Sequence, residues 1–325
     1  MRAYVISRAG DPEVLELREV PDPKPKKGWV LIQVKGFGLN RSELYTRQGY
    51  SGNAVSFPRI LGIECVGEVL DAGETDLVIG QKVAAAMGDM GRKHDGGYAE
   101  MAVLPRSHIY PVHTTLAWEQ LAALPETYLT AWGVVNETIA FQHGQQALIR
   151  GGSSALGLAA MNILQDLGVR VFATTRSEAK AEKLIQAGVD EVILDSGAIA
   201  REVRTKTDGG VDGVVEVVGL PKTIKDSLLC CRKRGVVGMV GFLGNDWNYN
   251  FFPWMPSTVR LSFYSSETLE KNYATPVLQQ IIQKVELGTY KTNIDRVFDF
   301  EELHEAHQIM ENNQASGKLV VMTGN

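Results

Sequence analysis

The stretch from Gln146 to Arg176, QALIRGGSSALGLAAMNILQDLGVRVFATTR, decides the fold. It opens with the apolar strand Ala147-Leu148-Ile149 and breaks into the small-residue loop Gly151-Gly152-Ser153-Ser154. Apolar residues then recur at helical spacing: Leu156, Ala159, Ala160, Ile163, Leu164 and Leu167. Gly168 ends that helix, and a second buried-type strand runs from Val169 to Ala173. Strand, tight loop, helix and strand form a βαβ unit of the dinucleotide-binding kind.

A pyrophosphate must approach backbone N–H groups at a helix start, where peptide dipoles favour negative charge and side chains obstruct. The glycine frame is Gly152-Ser153-Ser154-Ala155-Leu156-Gly157, with first and last glycines present and Ser154 in the middle slot. An ordinary tight βα turn is the competing reading; the flanking strand, helix and strand favour a cofactor site. Thr174 stands 22 positions after Gly152, where an NAD site carries Asp or Glu for the ribose 2′-hydroxyl. Here the residues are Thr174-Thr175-Arg176-Ser177, with Ser177 a natural N-cap and Lys180 in the following turn. With no carboxylate to repel a 2′-phosphate and two cations to receive one, the expected cofactor is NADP(H) rather than NAD(H).

At 325 residues, two domains are the natural expectation. A net charge of −5 gives no basic footprint for nucleic acid or an acidic membrane. Cys65, Cys230 and Cys231 make no disulfide framework and suit a reducing compartment. Neither a secretory leader nor a membrane-length apolar run is apparent, so a cytoplasmic protein is expected.

Outward from the βαβ unit, the chain changes period twice. Residues 1–121 carry short strands punctuated by glycine, including a single strand over Val14–Val20, and suggest a partly open β-barrel. Residues 122–264 alternate helix and strand as a doubly wound parallel sheet, with a helix over Pro221–Cys231 and a sixth strand near Thr258–Tyr264. Residues 265–325 are too short for their own core and should return to the first domain. The fold class is α/β, with a β-rich companion domain.

With both halves in view, the chain resembles the medium-chain dehydrogenase/reductase superfamily. VLIQVKGFGLNRSELYTRQGY (30–50) is similar to its strand, Gly, Asn and Arg-x-Gly stretch, and FPRILGIECVGEV (57–69) to its P-x-x-x-G-x-E-x-x-G-x-V signature. GQKVAA, GGYAEM, LAALPETYLTAW and GKLVVM follow in the expected order. The resemblance implies a GroES-like substrate domain and a Rossmann domain, with the cofactor in the cleft between them. Where the superfamily's alcohol dehydrogenases place cysteine and histidine zinc ligands, this chain has Leu39-Asn40 and Ile63, and the structural-zinc cysteines are missing. Zinc sites need such ligands, so no metal is expected. His304 and His307 are taken as a solvated helix face.

Without a Lewis acid the acceptor must already be electrophilic, as quinones and α,β-unsaturated carbonyls are. That agrees with the zinc-independent NADPH:quinone oxidoreductase (zeta-crystallin-like) branch, which the chain most resembles. The resemblance implies Asn40 near the nicotinamide ribose (otherwise a helix N-cap), Tyr45 as an active-site phenol (otherwise an interface aromatic) and Thr130 near the nicotinamide. Gly241, Phe242 and Leu243 follow the fifth strand at its ligand-binding end, and Lys318 with Gly317 is expected to close over the cofactor. Arg47 and Glu64 are read as structural, and Cys230-Cys231 as inert thiols within a helix. Leu194-Asp195 replace the Asn-Tyr pair common in quinone reductases. The aromatic run Trp247–Tyr264 suggests a homodimer edge. A reductase of larger acyl-type enones and a non-catalytic NADPH-binding protein are the competing functions.

Overall fold

The computed structural model describes residues 1–243, 250, 253, 255–269 and 271–324. It separates into two compact units, one of Met1–Glu126, Leu269–Gly288 and Thr292–Asn325, the other of Thr127–Thr268 and Thr289–Lys291.

In the first unit, β1 (Arg2–Ile6) pairs with β2 (Glu16–Glu19). The single strand expected over Val14–Val20 is instead a 3-10 turn at Pro12–Val14, where proline fixes φ, followed by the exposed β2. Next come β3 (Trp29–Gly38), α1 (Arg41–Arg47), β4 (Arg59–Ile60), β5 (Glu64–Asp71), β6 (Lys82–Ala86), β7 (Met101–Pro105), β8 (Ile109–Pro111) and α2 (Trp118–Ala122). Long β3 is the hub, pairing antiparallel with β5 and β7. Its alternating burial puts Val30, Ile32 and Val34 into a core shared with Tyr4, Phe37, Tyr98 and Phe300.

The second unit begins within α3 (Pro125–Gly133). It continues as β9 (Gln146–Arg150), α4 (Ala155–Asp166), β10 (Arg170–Thr175), α5 (Glu178–Gln186), β11 (Glu191–Leu194), α6 (Ala200–Lys206), β12 (Val211–Glu216), α7 (Pro221–Cys230), β13 (Cys231–Met239) and β14 (Arg260–Phe263). Among the described residues these strands form a parallel six-stranded Rossmann sheet ordered β11-β10-β9-β12-β13-β14. Central β12 is buried throughout, which explains its apolar VDGVVE run. The helix expected to reach Cys231 stops one residue earlier, and Cys231 opens β13. Both thiols are buried; burial pushes Cys231 up to about 12 and Cys230 higher still.

The chain then returns to the first unit through α8 (Lys271–Glu286), β15 (Ile294–Asp299), α9 (Leu303–Glu311) and β16 (Lys318–Met322). There β16 pairs antiparallel with β3, aligning Val320 with Gly38, in a GroES-like sheet ordered β15-β16-β3-β5-β6-β8. No helix among the described residues is long and apolar enough to cross a membrane.

Candidate functional site

In the second unit the loop after β9 is shaped by backbone contacts that exclude side chains. Gly151 has φ +87°, a conformation suited to glycine. A Cβ on Gly152 would lie 2.7 Å from Ala173 Cβ, and one on Gly157 would lie 2.6 Å from the Gly151 carbonyl oxygen. Ser154, in the middle slot, is the N-cap of α4: its Oγ accepts from Gly157 N–H (3.1 Å) and donates to Gly151 O (2.8 Å). Thr174 takes the Gly151 N–H on its hydroxyl (3.0 Å) and the Gly152 N–H on its carbonyl (2.9 Å). The N–H groups of Ser153, Ala155 and Leu156 have no acceptor among the described residues. They stand at the start of a twelve-residue helix, where the peptide dipoles favour negative charge.

At the tip of β10, Thr175 is buried and its hydroxyl accepts from Ser177 N–H (3.3 Å). Arg176 is exposed, and Ser177 and Lys180 are half-buried. Ser177 occupies the N-cap of α5 through its backbone, without a side-chain bond into the first turn. Gly241, Phe242 and Leu243 are half-buried beyond β13. A Cβ on Gly241 would fall 1.8 Å from Val217 O, so the loops after β12 and β13 meet backbone to backbone.

Beneath this rim lies a charged network that sequence patterning did not reveal. Arg150, fully buried at the end of β9, forms a bidentate pair with Asp195 (2.8 and 2.8 Å) and reaches Asp226 (2.8 Å) and Thr223 O (3.0 Å). Burial alone would raise the Asp195 carboxyl, but the guanidinium holds it below its ordinary value. Asp195 is thus engaged by Arg150 and by Gly197 N–H (2.8 Å). Glu216, at the end of β12, accepts from Val218 N–H, Gly219 N–H and Ser227 Oγ, while burial pushes its carboxyl upward. The available signal was an arginine closing an otherwise apolar parallel strand, where a cation needs buried partners.

In the first unit the structure brings Asn40, Glu64 and Lys318 together. Asn40 is the N-cap of α1, but its side chain turns to other partners. Its Nδ2 donates to Glu64 Oε1 (2.8 Å), and its Oδ1 accepts from Lys318 Nζ (2.8 Å). Lys318 Nζ also donates to Glu64 Oε1 (2.6 Å), while Glu64 Oε2 accepts from Glu126 N–H (2.9 Å). Glu64 and Lys318 are both buried. Lys318, read from sequence alongside the cofactor, therefore stands with Asn40 and Glu64. Gly38 makes this possible, since a Cβ there would sit 2.2 Å from Lys318 Cε and 2.6 Å from Glu64 Oε1.

Tyr45, half-buried on α1, meets Tyr50 edge-on at 6.0 Å, and burial raises its phenol above the usual value. Thr130 lies half-buried on α3 in the second unit. Arg47 is fully buried and holds Gly10 O (2.7 Å) and Glu311 (2.5 Å), the structural role expected of it.

The solvated reading of His307 is corrected. It is fully buried, bonded to the Tyr98 hydroxyl at 3.0 Å, and driven by burial down to about 3; His304 is half-buried. Helical spacing placed both histidines on one face, but Tyr98, from another part of the chain, covers His307. Among the described residues no group of three or more His, Cys, Asp or Glu is arranged for a metal ion. Of the expected dimer edge, residues 247–249, 251, 252 and 254 lie outside the described residues.

The model of the alcohol dehydrogenase GroES-like domain matches residues 26–114, and that of the zinc-binding dehydrogenase family matches residues 187–321. Quinone oxidoreductase of Mus musculus is 30% identical over 336 residues, covering 99% of this chain and 98% of its own. A phenolphthiocerol/phthiocerol polyketide synthase of Mycobacterium tuberculosis is 28% identical over 328 residues, covering 97% of this chain and 14% of that longer protein. The structure of Escherichia coli quinone oxidoreductase complexed with NADPH has a TM-score of 0.90 at 21% identity, covering 99% of this chain and 100% of that one, a likeness of fold.

Proposed function

On the premise that the chain belongs to the medium-chain dehydrogenase/reductase superfamily, in its quinone oxidoreductase branch, we propose that it is an NADPH-dependent reductase of quinones or α,β-unsaturated carbonyls that works without zinc. The Asn40–Glu64–Lys318 cluster carries this reading. Zinc takes thiolate, imidazole and carboxylate ligands, whereas here an ammonium sits 2.6 Å from the one carboxylate present, beside an amide. A divalent cation at that carboxylate would be repelled by Lys318. The donor set does not fit zinc, and an acceptor reduced by this chain must delocalise the incoming charge without a metal.

When bound, NADPH supplies a hydride from nicotinamide C4. The Ser153, Ala155 and Leu156 N–H groups receive its pyrophosphate. Arg176 and Lys180, with Ser177, receive the 2′-phosphate, which no Asp or Glu at positions 174–177 opposes. Thr175 shapes that turn through its hydroxyl, which accepts from Ser177 N–H, and Gly241, Phe242 and Leu243 line the strand ends. Asn40 orients the nicotinamide ribose and Thr130 the ring. The Tyr45 phenol, its proton retained because burial raises it, donates a hydrogen bond to the acceptor oxygen. Edge strand β14, with Phe263 exposed, supports a homodimer, and the three buried free cysteines suit a cytoplasmic setting. The likeness to the polyketide synthase supports a second reading, reduction of larger acyl-type enones.

The test is NADPH consumption against a panel of quinones and enones of increasing size. Turnover of small quinones supports the first reading, and preference for long acyl enones supports the second. Tight NADPH binding with no turnover moves the assignment to a non-catalytic nucleotide-binding protein.

A further inference from the structure

A buried hydrogen-bonded chain adjoins Asn40, made of residues to which the reaction chemistry above gives no role. It runs from Glu43 through Tyr98 to His307, all essentially without solvent exposure. Glu43 Oε2 accepts from the Asn40 backbone N–H (2.7 Å) and from the Tyr98 hydroxyl (2.6 Å). Its Oε1 accepts from the Ile63 backbone N–H (2.8 Å). Because Tyr98 donates to Glu43, its oxygen accepts from His307 Nε2–H at 3.0 Å. The other ring nitrogen, Nδ1, is buried without a partner among the described residues, which fits a neutral imidazole.

An ordinary helix cap would need only the Asn40 bond. Glu43 does more, because Ile63 immediately precedes Glu64 at the start of β5. One carboxylate therefore ties the start of α1 to the start of β5. The Asn40 Nδ2–Glu64 Oε1 bond of 2.8 Å spans the two segments so joined. We propose that Glu43 is a positioning residue for the reduction: by fixing the N–H groups of Asn40 and Ile63 it sets the Asn40 amide against Glu64 and Lys318. The proposal rests on the reductase reading above. A neutral amide at position 43 cannot replace the carboxylate, because its NH2 group would face one of the two backbone N–H donors. Tyr98 holds Oε2 in place, and His307 fixes the direction of the Tyr98 proton. The titratable groups around Glu43 are Glu64, Tyr98 and, beyond Tyr98, His307, with Arg47 and His304 acting on that far end.

The full-length chain with Glu43→Gln, and separately with Tyr98→Phe, tests this using NADPH and 1,4-benzoquinone. Glu43→Gln should lower kcat roughly 10- to 100-fold, the scale of a small misplacement at a reacting centre, and leave the NADPH dissociation constant unchanged. Tyr98→Phe, which removes only a hydroxyl, should lower kcat by roughly threefold to tenfold and move the acid limb of the kcat–pH profile upward, because that hydroxyl favours the Glu43 carboxylate. If Glu43→Gln fails to fold, Tyr98→Phe carries the test alone. A wild-type kcat and pH profile in the variants, with only the thermal midpoint lowered, would overturn the proposal in favour of a plain structural cap. If the wild-type chain binds NADPH but reduces no acceptor, the reductase reading fails, and the side-chain amide resonance of Asn40 in 15N-asparagine-labelled protein decides the rest. A shifted resonance in Glu43→Gln supports positioning by Glu43, and an unmoved one overturns it.

Discussion

Asp195 and Glu43 are both carboxylates withdrawn from water, yet their carboxyl groups are driven in opposite directions. Asp195 shares a guanidinium with Asp226, and Arg150 keeps it charged and below its ordinary value. Glu43 has only hydrogen-bond donors, and burial lifts it to about 7 despite three of them. Opposite charge offsets desolvation where neutral donors do so only in part. The second unit thus has an ion-paired network under its glycine loop. The first has a carboxylate lifted to about 7 beside Asn40, the residue proposed for the nicotinamide ribose.

Arg150→Met should break the ionised side of this contrast most severely. It strands Asp195 and Asp226 without their cation, and removing one partner of a buried pair costs about 3–5 kcal/mol. Urea unfolding should show that loss, whereas Glu43→Gln, which forfeits neutral hydrogen bonds, should cost about 1–3 kcal/mol. Equal costs would mean that charge pairing does not distinguish the two clusters.

Acidification sharpens the comparison. The folded-state value of His307 is depressed from 6.5 to about 3, so its contribution to stability is present above pH 6.5 and is lost as pH falls toward 3. Glu43 is raised from 4.5 to about 7, so its contribution is present below pH 4.5 and is lost as pH rises through 7. The two oppose each other between pH 4.5 and 6.5. His307→Gln removes one of them, so the change in stability on going from about pH 7.5 to about pH 5 should become more favourable by on the order of 2 kcal/mol. An unaltered pH dependence would show that His307 is not the neutral buried group described.

Gly38→Ala tests the Asn40–Glu64–Lys318 cluster. A methyl group 2.2 Å from Lys318 Cε must displace the ammonium or Glu64, at about 1–3 kcal/mol for overpacking. Turnover should fall roughly tenfold with NADPH affinity unchanged. Unaltered turnover would separate the cluster from the reaction. The smallest effect is expected at the surface. Arg176→Ala should weaken NADPH binding roughly tenfold, about the value of one charge-assisted hydrogen bond, and leave NADH binding as it was.

How much of this was legible depended on the range of the interactions. The strands β9 to β13 read as apolar runs because parallel strands are buried on both faces, and the Gly152 to Gly157 frame is a local backbone requirement. Lys318 and His307 resisted the same reading because polar residues at a strand start or on a helix are ordinarily solvated. Their burial comes from residues more than 200 positions away, Glu64 for Lys318 and Tyr98 for His307. Arg150 and Glu216, at the ends of β9 and β12, are adjacent only after the sheet has formed. Asn40 and Glu43 have capping-box spacing, a local signal that locates the carboxylate but not its second bond, to Ile63.

The most direct test of the central assignment is kcat/KM for one small quinone with NADPH and with NADH, using chelator-dialysed protein before and after zinc is returned. NADPH preferred over NADH, with a rate indifferent to zinc, is the expected result. NADH preference would contradict the role given to Arg176 and Lys180, and activity appearing only with zinc would contradict the reading of Asn40, Glu64 and Lys318.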